Sequence, residues 1–137
     1  MDFSSAFVFG KNSKGKDWIE ISGRNIPAIY FLPGNYKSEE AYYNNNRIKK
    51  VLAELITDKG AVVDSTEYEF PDNPYKKLNY SNFYESLACV DCINEYSDFE
   101  ENPTKVRITV LEVYKGKKWN DTCISEIFVS DDNLNIN

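Results

Sequence analysis

Tyr42-Tyr43-Asn44-Asn45-Asn46-Arg47 sets two phenol rings, three amides and a guanidinium side by side. Flat aromatic faces stack on the C–H surfaces of sugar rings, and amide and charged groups meet their hydroxyls, so this mixture is the chemistry of a carbohydrate site. Tyr36, next to Lys37, and Trp119, which follows Lys117 and Lys118, complete the candidates: Tyr36, Tyr42, Tyr43, Asn45, Arg47 and Trp119. The same side chains also have an internal use. Asn45 and Arg47 can bond the backbone of their own loop with a Tyr packed beneath, Tyr36 and Lys37 can close the end of a strand, and a Trp in a turn can be a lid over the core. The residue types are consistent with both uses.

Catalytic chemistry is thinly represented. The chain has no His, which removes the usual general base and the Ser-His and Cys-His arrangements. Two carboxylates suffice to hydrolyse a glycoside, but with 22 acidic residues no pair stands out. The three cysteines are Cys89, Cys92 and Cys123. Cys89-Val90-Asp91-Cys92 has the spacing of a redox pair or half a zinc site. A zinc site needs four ligands, and Leu87-Ala88 supplies no helix N-cap for a reactive thiol. Ordinary thiols or a local disulfide are the plainer reading, with a bond to Cys123 an alternative. Gly10 to Lys16 has the glycine spacing of a phosphate loop, but Asp17 stands where Ser or Thr is required. Asp121 is expected to accept N–H bonds within its turn, and Glu126 to pair with a cation such as Arg107 if buried. No metal and no cofactor is expected.

Composition bounds the partners. In 137 residues the formal net charge is −6, and only short patches such as Lys115, Lys117 and Lys118 run against it. Phosphate-backbone binding needs a basic stripe, so nucleic acid and anionic membrane surfaces are disfavoured. No apolar run reaches the ~20 residues that span a bilayer. The start, MDFSSAFVFG, has no basic leader and reads poorly as a secretory signal. A length of 137 residues suits one domain, residues 1–137, and 42% hydrophobic content is enough for a core.

The elements that would position these residues read as short strands. Asp17–Ser22 alternates, with Ile19 and Ile21 on one face and Trp18 on the other. Further strands are expected at Ser5–Phe9, Ile26–Leu32, Ala61–Phe70 and Leu87–Ile93. Lys105–Tyr114 and Thr122–Val129 flank a Gly, Asn and Asp middle and read as a pair of strands. Val106, Ile108 and Val110 are out of phase with Leu111 and Val113, so a bulge is expected near Val110. Tyr36–Asn46 lacks a hydrophobic period and is expected as a long surface loop, as is Pro71–Tyr84 with at most one short strand. Residues 130–137 are expected to fray. Arg47–Thr57 is ambiguous: Ile48, Val51, Leu52, Leu55 and Ile56 fall at helical spacing, and periodicity alone says amphipathic helix.

Three motifs occur in order: DWIEI at Asp17–Ile21, PGNYKS followed by YYNNNRIKK over Pro33–Lys50, and EVYKGKKWNDTCISEIFV over Glu112–Val129. Together they resemble the jelly-roll glycan-binding domain of bacterial NAD glycohydrolase toxins and other bacterial extracytoplasmic proteins, itself similar to discoidin and galactose-binding domains. The resemblance implies an all-β jelly-roll sandwich of about eight mostly antiparallel strands, with Arg47–Ile56 a strand. It implies a non-catalytic binding module outside the cytoplasm, with a glycan or other small ligand as partner. A protein-interaction module that lost the sugar site is the alternative, and a carboxylate-based hydrolase the third.

Overall fold

A computed structural model describes residues 7–8, 10–11, 17–23, 26, 28–92 and 101–130. The strands are β1 (Phe7–Val8), β2 (Gly10–Lys11), β3 (Asp17–Ser22), β4 (Ala28–Phe31), β5 (Arg47–Ile56), β6 (Val62–Glu69), β7 (Ala88–Asp91), β8 (Lys105–Tyr114), β9 (Cys123–Ile124) and β10 (Ile127–Ser130). One helix, α1 (Glu39–Asn44), and a 3₁₀ turn at Tyr84–Ser86 accompany them. The larger sheet runs β2-β3-β8-β5-β6, the second β10-β4-β7, and β1 pairs with β9. Every pairing of named strands is antiparallel. The fold is the expected all-β jelly-roll sandwich.

Alternation builds its interior. From the larger sheet come Val51, Ala53, Leu55, Val106, Ile108 and Val110; from the second come Ile29, Phe31, Ala88 and Val90. Ile29, Val90 and Val106 are entirely inaccessible. Each aliphatic side chain buried this way contributes about 1.5–3 kcal/mol. The outer face of β3 carries Trp18 and Glu20, and Arg107 from β8 bonds Glu20 at 2.8 Å and lies 5.1 Å from the Trp18 ring centre.

Arg47–Ile56 is a strand, and its helical spacing has a structural cause. Ile48 pairs with Val113 and Lys50 with Glu112, so Lys49 is an extra residue; Val51 pairs with Val110, so Leu111 is extra on β8. The bulge at Lys49 places Ile48 and Val51, three apart, on the same inner face, and two strand repeats then carry that face to Leu55. Leu111 is the bulge expected near Val110. It restores one buried face to a strand whose apolar residues change phase.

Three expectations are corrected. Lys105–Tyr114 and Thr122–Val129 do not pair with each other: β8 lies between β3 and β5, whereas β10 pairs with β4. The turn-rich residues between them cross from one sheet to the other. Tyr36–Asn46 is not all loop, because Ser38 caps α1 by accepting the Ala41 N–H at 3.0 Å and Glu39 and Glu40 sit in the first turn. A six-residue helix with one buried side chain, Tyr42, is too short to show a period. Ser130 pairs with Ala28 in β10 and is not part of the tail. The expected fraying of 131–137, the glycine-flanked loop at 12–16, the turn at Arg24-Asn25, Pro27 and most of the acidic turn before Thr104 lie outside the described residues.

Candidate functional site at one rim of the sandwich

Antiparallel order brings three connections to one end: 32–46 between β4 and β5, 70–87 between β6 and β7, and 115–122 between β8 and β9. Ser125 fixes the first of them. Fully buried between β9 and β10, its Oγ accepts the Tyr36 N–H at 2.6 Å and donates to the Gly34 carbonyl at 2.9 Å. Its neighbours add Leu32 N–H to the Glu126 carbonyl at 3.0 Å. The Pro-Gly-Asn-Tyr and Ile-Ser-Glu-Ile motifs are thus the two halves of one junction.

The 115–122 connection docks on the end of α1. Helix C-termini leave carbonyls without partners, and here Lys117 N–H reaches the Tyr43 carbonyl at 2.9 Å and Trp119 N–H the Asn44 carbonyl at 2.8 Å. Asn45 closes the helix from within, its Nδ2 donating to the Ala41 carbonyl at 2.9 Å. Asn46 Oδ1 accepts the Gly116 N–H at 2.8 Å, and Asn46 Nδ2 donates to Asn120 at 3.0 Å. The approach is so close that a Cβ on Gly116 would stand 2.4 Å from the Asn44 carbonyl oxygen.

The tyrosines hold the 70–87 connection. Tyr36, Tyr42 and Phe83 are buried with Leu32 in a second apolar cluster, against which Tyr43 and Tyr75 pack. The Tyr42 hydroxyl donates to the Asn73 carbonyl, and the Tyr43 hydroxyl accepts the Tyr75 N–H at 3.1 Å. From β8 the Tyr114 hydroxyl donates to the Phe70 carbonyl at 2.7 Å. Arg47 forks onto Asp72, Nε to Oδ1 at 3.0 Å and Nη2 to Oδ2 at 3.1 Å, while its Nη1 donates to the Tyr42 carbonyl at 3.2 Å. Its guanidinium lies 4.8 Å from the Tyr42 ring centre. Burial lowers the Arg47 pKa, but hydrogen bonding and charge from Asp72 more than offset this, so it stays raised. Burial raises the Tyr36 and Tyr42 phenols, and the neighbouring Tyr42 raises Tyr36 further.

Between this cluster and the 70–87 connection lies a pocket of about 210 Å³, lined by Tyr36, Asn73, Pro74, Lys76, Glu85 and Ser86. Of the six residues picked from the sequence, Tyr36 lines it. Tyr42, Tyr43, Asn45 and Arg47 brace the backbone around it, and Trp119 stands 47% exposed beside α1 with Lys118 Nζ 4.8 Å from its ring centre. Asp72, Asn73 and Lys76 come from Pro71–Tyr84, which reads in sequence as a loop with at most one short strand, and Glu85 and Ser86 follow directly after it. The available signal was a carboxylate between two prolines, Pro71-Asp72-Asn73-Pro74.

The thiols take no part in this rim pocket. Cys89 and Cys92 are three apart along extended chain, a spacing that sends side chains to opposite faces. Cys89 approaches Asp91, while Cys92 packs against the core. All three cysteines are free. Burial, then Asp91, pushes the Cys92 thiol up to about 12, and burial also raises Cys89 and Cys123. Such thiols are protonated and unreactive at neutral pH. Among the described residues no group of three or more Cys, Asp or Glu is placed to hold a metal. The expected partnership of Glu126 with Arg107 is not formed, because Arg107 lies on the outer face of the larger sheet and is bonded to Glu20.

A two-sheet antiparallel sandwich with its connections gathered at one rim defines a discoidin-like module. The chain matches the NAD glycohydrolase translocation F5/8 type C domain over residues 18–130, and it belongs to that family. No curated protein and no solved structure matches it. Among the described residues, no helix is long and apolar enough to cross a membrane.

Proposed function

We propose that this is a non-catalytic carbohydrate-binding module that works outside the cytoplasm, with the sugar seated in the rim pocket. The observation that carries the reading is the pocket lining: an aromatic ring, Tyr36, beside an amide, a hydroxyl, an ammonium and a carboxylate from Asn73, Ser86, Lys76 and Glu85. Its 210 Å³ corresponds to roughly seven waters at about 30 Å³ each, the scale of a single sugar ring. Tyr42, Tyr43, Asn45 and Arg47 act behind that surface by fixing its walls, and Trp119 offers a second aromatic face. Glycoside hydrolysis needs two facing carboxylates, and Glu85 is the one acid in the lining. The translocation role in the family's description supports a place outside the cytoplasm.

A glycan array probed with the wild-type domain and with an Asn73→Ala, Ser86→Ala variant tests the reading. Binding to a restricted set of glycans, lost in the folded variant, is expected. Silence of the wild-type domain across the array would sink the sugar reading. Tyr80 at 80% and Tyr84 at 50% exposure on the same connection favour a protein partner as the second reading.

A further inference from the structure

We infer that the ligand of this rim is an anionic glycan, whose charged groups lie along a basic, aromatic track running from Trp119 to the pocket. The inference rests on the carbohydrate reading and names the class of sugar. Lys118 Nζ lies 4.8 Å from the Trp119 ring centre and Lys117 Nζ 5.4 Å from that of Tyr43. The Tyr43 hydroxyl accepts the Tyr75 N–H at 3.1 Å, and the next residue, Lys76, lines the pocket. These contacts set ammonium groups beside aromatic rings from Trp119 through Tyr43, which Arg47 also approaches at 5.3 Å, towards Lys76 at the pocket. That arrangement suits a chain of sugar rings bearing carboxylate or sulfate groups.

The lysines of this strip make no ion pair among the described residues. Among the described residues the ion pairs are Arg47 with Asp72, Lys50 with Glu112 and Arg107 with Glu20. None involves Lys76, Lys115, Lys117 or Lys118. Of the acids close by, Asp72 is held by Arg47 and Glu39 and Glu40 sit in the first turn of α1, at the other end from the docked loop, while Glu85 lines the pocket with Lys76 and Asp121 lies in the 115–122 connection. Backbone bonds from Lys117, Lys118 and Trp119 to the α1 carbonyls hold the strip in place, so little ordering is left for binding to impose. The overall charge of −6 works against densely charged nucleic acid and leaves a sparse polyanion, with about one charge per ring, as the better fit.

The test measures affinity of the folded domain for polygalacturonate, alginate and dextran sulfate, for methyl-esterified polygalacturonate and uncharged dextran, and for duplex DNA. Expected is binding of at least one anionic glycan, weakened about tenfold between about 50 and about 300 mM NaCl. A Lys117→Gln, Lys118→Gln variant with unchanged melting temperature should lose about tenfold, and the neutral counterpart should bind at least about tenfold more weakly. Equal affinity for charged and neutral forms would overturn the inference and leave the sugar reading standing. Binding of neutral array glycans with none of the anionic ones would do the same. No binding to any glycan, charged or neutral, would end both, and duplex DNA bound as tightly as the glycans would reduce the strip to non-specific charge.

Discussion

Replacing Ser125 by Ala removes one oxygen and should undo the junction on which the rim is built. Ser125 is fully buried, and its hydroxyl serves two backbone groups, the Tyr36 N–H and the Gly34 carbonyl. No buried side-chain nitrogen or oxygen lacks a partner among the described residues, so the wild-type starting point is fully satisfied. With Ala in place, a buried donor and acceptor are stranded where water has little access. Each such group costs about 1–3 kcal/mol. The carbonyl keeps a second lone pair that a small shift can satisfy, so the sum should fall near 3 kcal/mol rather than at the upper limit. For a domain of 137 residues this is a drop of roughly 10 °C in melting temperature, at about 4 °C per kcal/mol. Urea titration with calorimetry measures both, and Ser81→Ala, at an exposed hydroxyl, is the control expected within about 0.5 kcal/mol. The Tyr36 backbone is held by Ser125 and Tyr36 lines the pocket, so ligand affinity should fall together with stability. A Ser125→Ala protein within about 1 kcal/mol of wild type would refute the reasoning, because it would mean these backbone bonds are made by other groups or are not buried.

Gly116→Ala should cost at least about 2 kcal/mol in the same titration, since its Cβ would stand 2.4 Å from the Asn44 oxygen and 2.6 Å from the Asn45 carbonyl carbon, backbone atoms that cannot swing away. Gly60→Ala, in the turn after β5 at φ +86 with nothing within 4 Å, should cost about 1 kcal/mol through backbone strain alone. Asp72→Ala should destabilise by about 1–2 kcal/mol, less than a fully buried pair, because the Asp72 side chain is 41% exposed while that of Arg47 is 10%. Raised folded-state pKa values of Cys92 and Tyr36 mean their neutral forms belong to the folded state. Their contribution is complete below the unfolded values, 9.0 for the thiol and 10.0 for the phenol, and for Cys92 it is lost as pH climbs to about 12. Urea midpoints should therefore fall from pH 8.5 to pH 11, and Cys92→Ala should flatten part of that fall.

Much of the fold was legible because strand alternation is a local signal. DWIEI, the phase change within Lys105–Tyr114 and the expected bulge all correspond to what the chain does. The helical spacing of Arg47–Ile56 misled periodicity for a definable reason: a bulge adds one residue to a period of two, and Ile48 to Val51 becomes a step of three. Only the resemblance to a known family, which carries information about distant partners, separated the two readings. Strand pairing was less legible. Lys105–Tyr114 and Thr122–Val129 look like a hairpin because they are neighbours in sequence, but β8 finds β3 and β5, and β10 finds β4. Which edges meet is decided by the closure of the sandwich.

The rim shows the same limit at the level of single side chains. A run of Tyr, Asn and Arg announces hydrogen bonding and aromatic surface, yet whether those groups face a ligand or the protein depends on what else arrives at that end. Here two connections arrive, and they use the run's capacity: Asn45 caps α1, Asn46 receives Gly116, the tyrosine hydroxyls hold the backbone at Asn73 and Tyr75, and Arg47 holds Asp72. Groups saturated in this way are poor ligand contacts, since any new bond must first break a buried old one. On the carbohydrate reading, recognition would then fall to Asn73, Lys76 and Glu85 at the pocket and to Lys117, Lys118 and Trp119 beside it, with the Ser86 hydroxyl already donating to the Asn82 carbonyl at 3.1 Å. Trp119→Ala makes this division measurable. With only the ring of a half-exposed side chain removed and the backbone bond to Asn44 kept, stability should stay within about 0.5 kcal/mol of wild type while glycan affinity drops several-fold. A variant that instead melts well below wild type with affinity intact would place Trp119 with the structural tyrosines and confine recognition to the pocket.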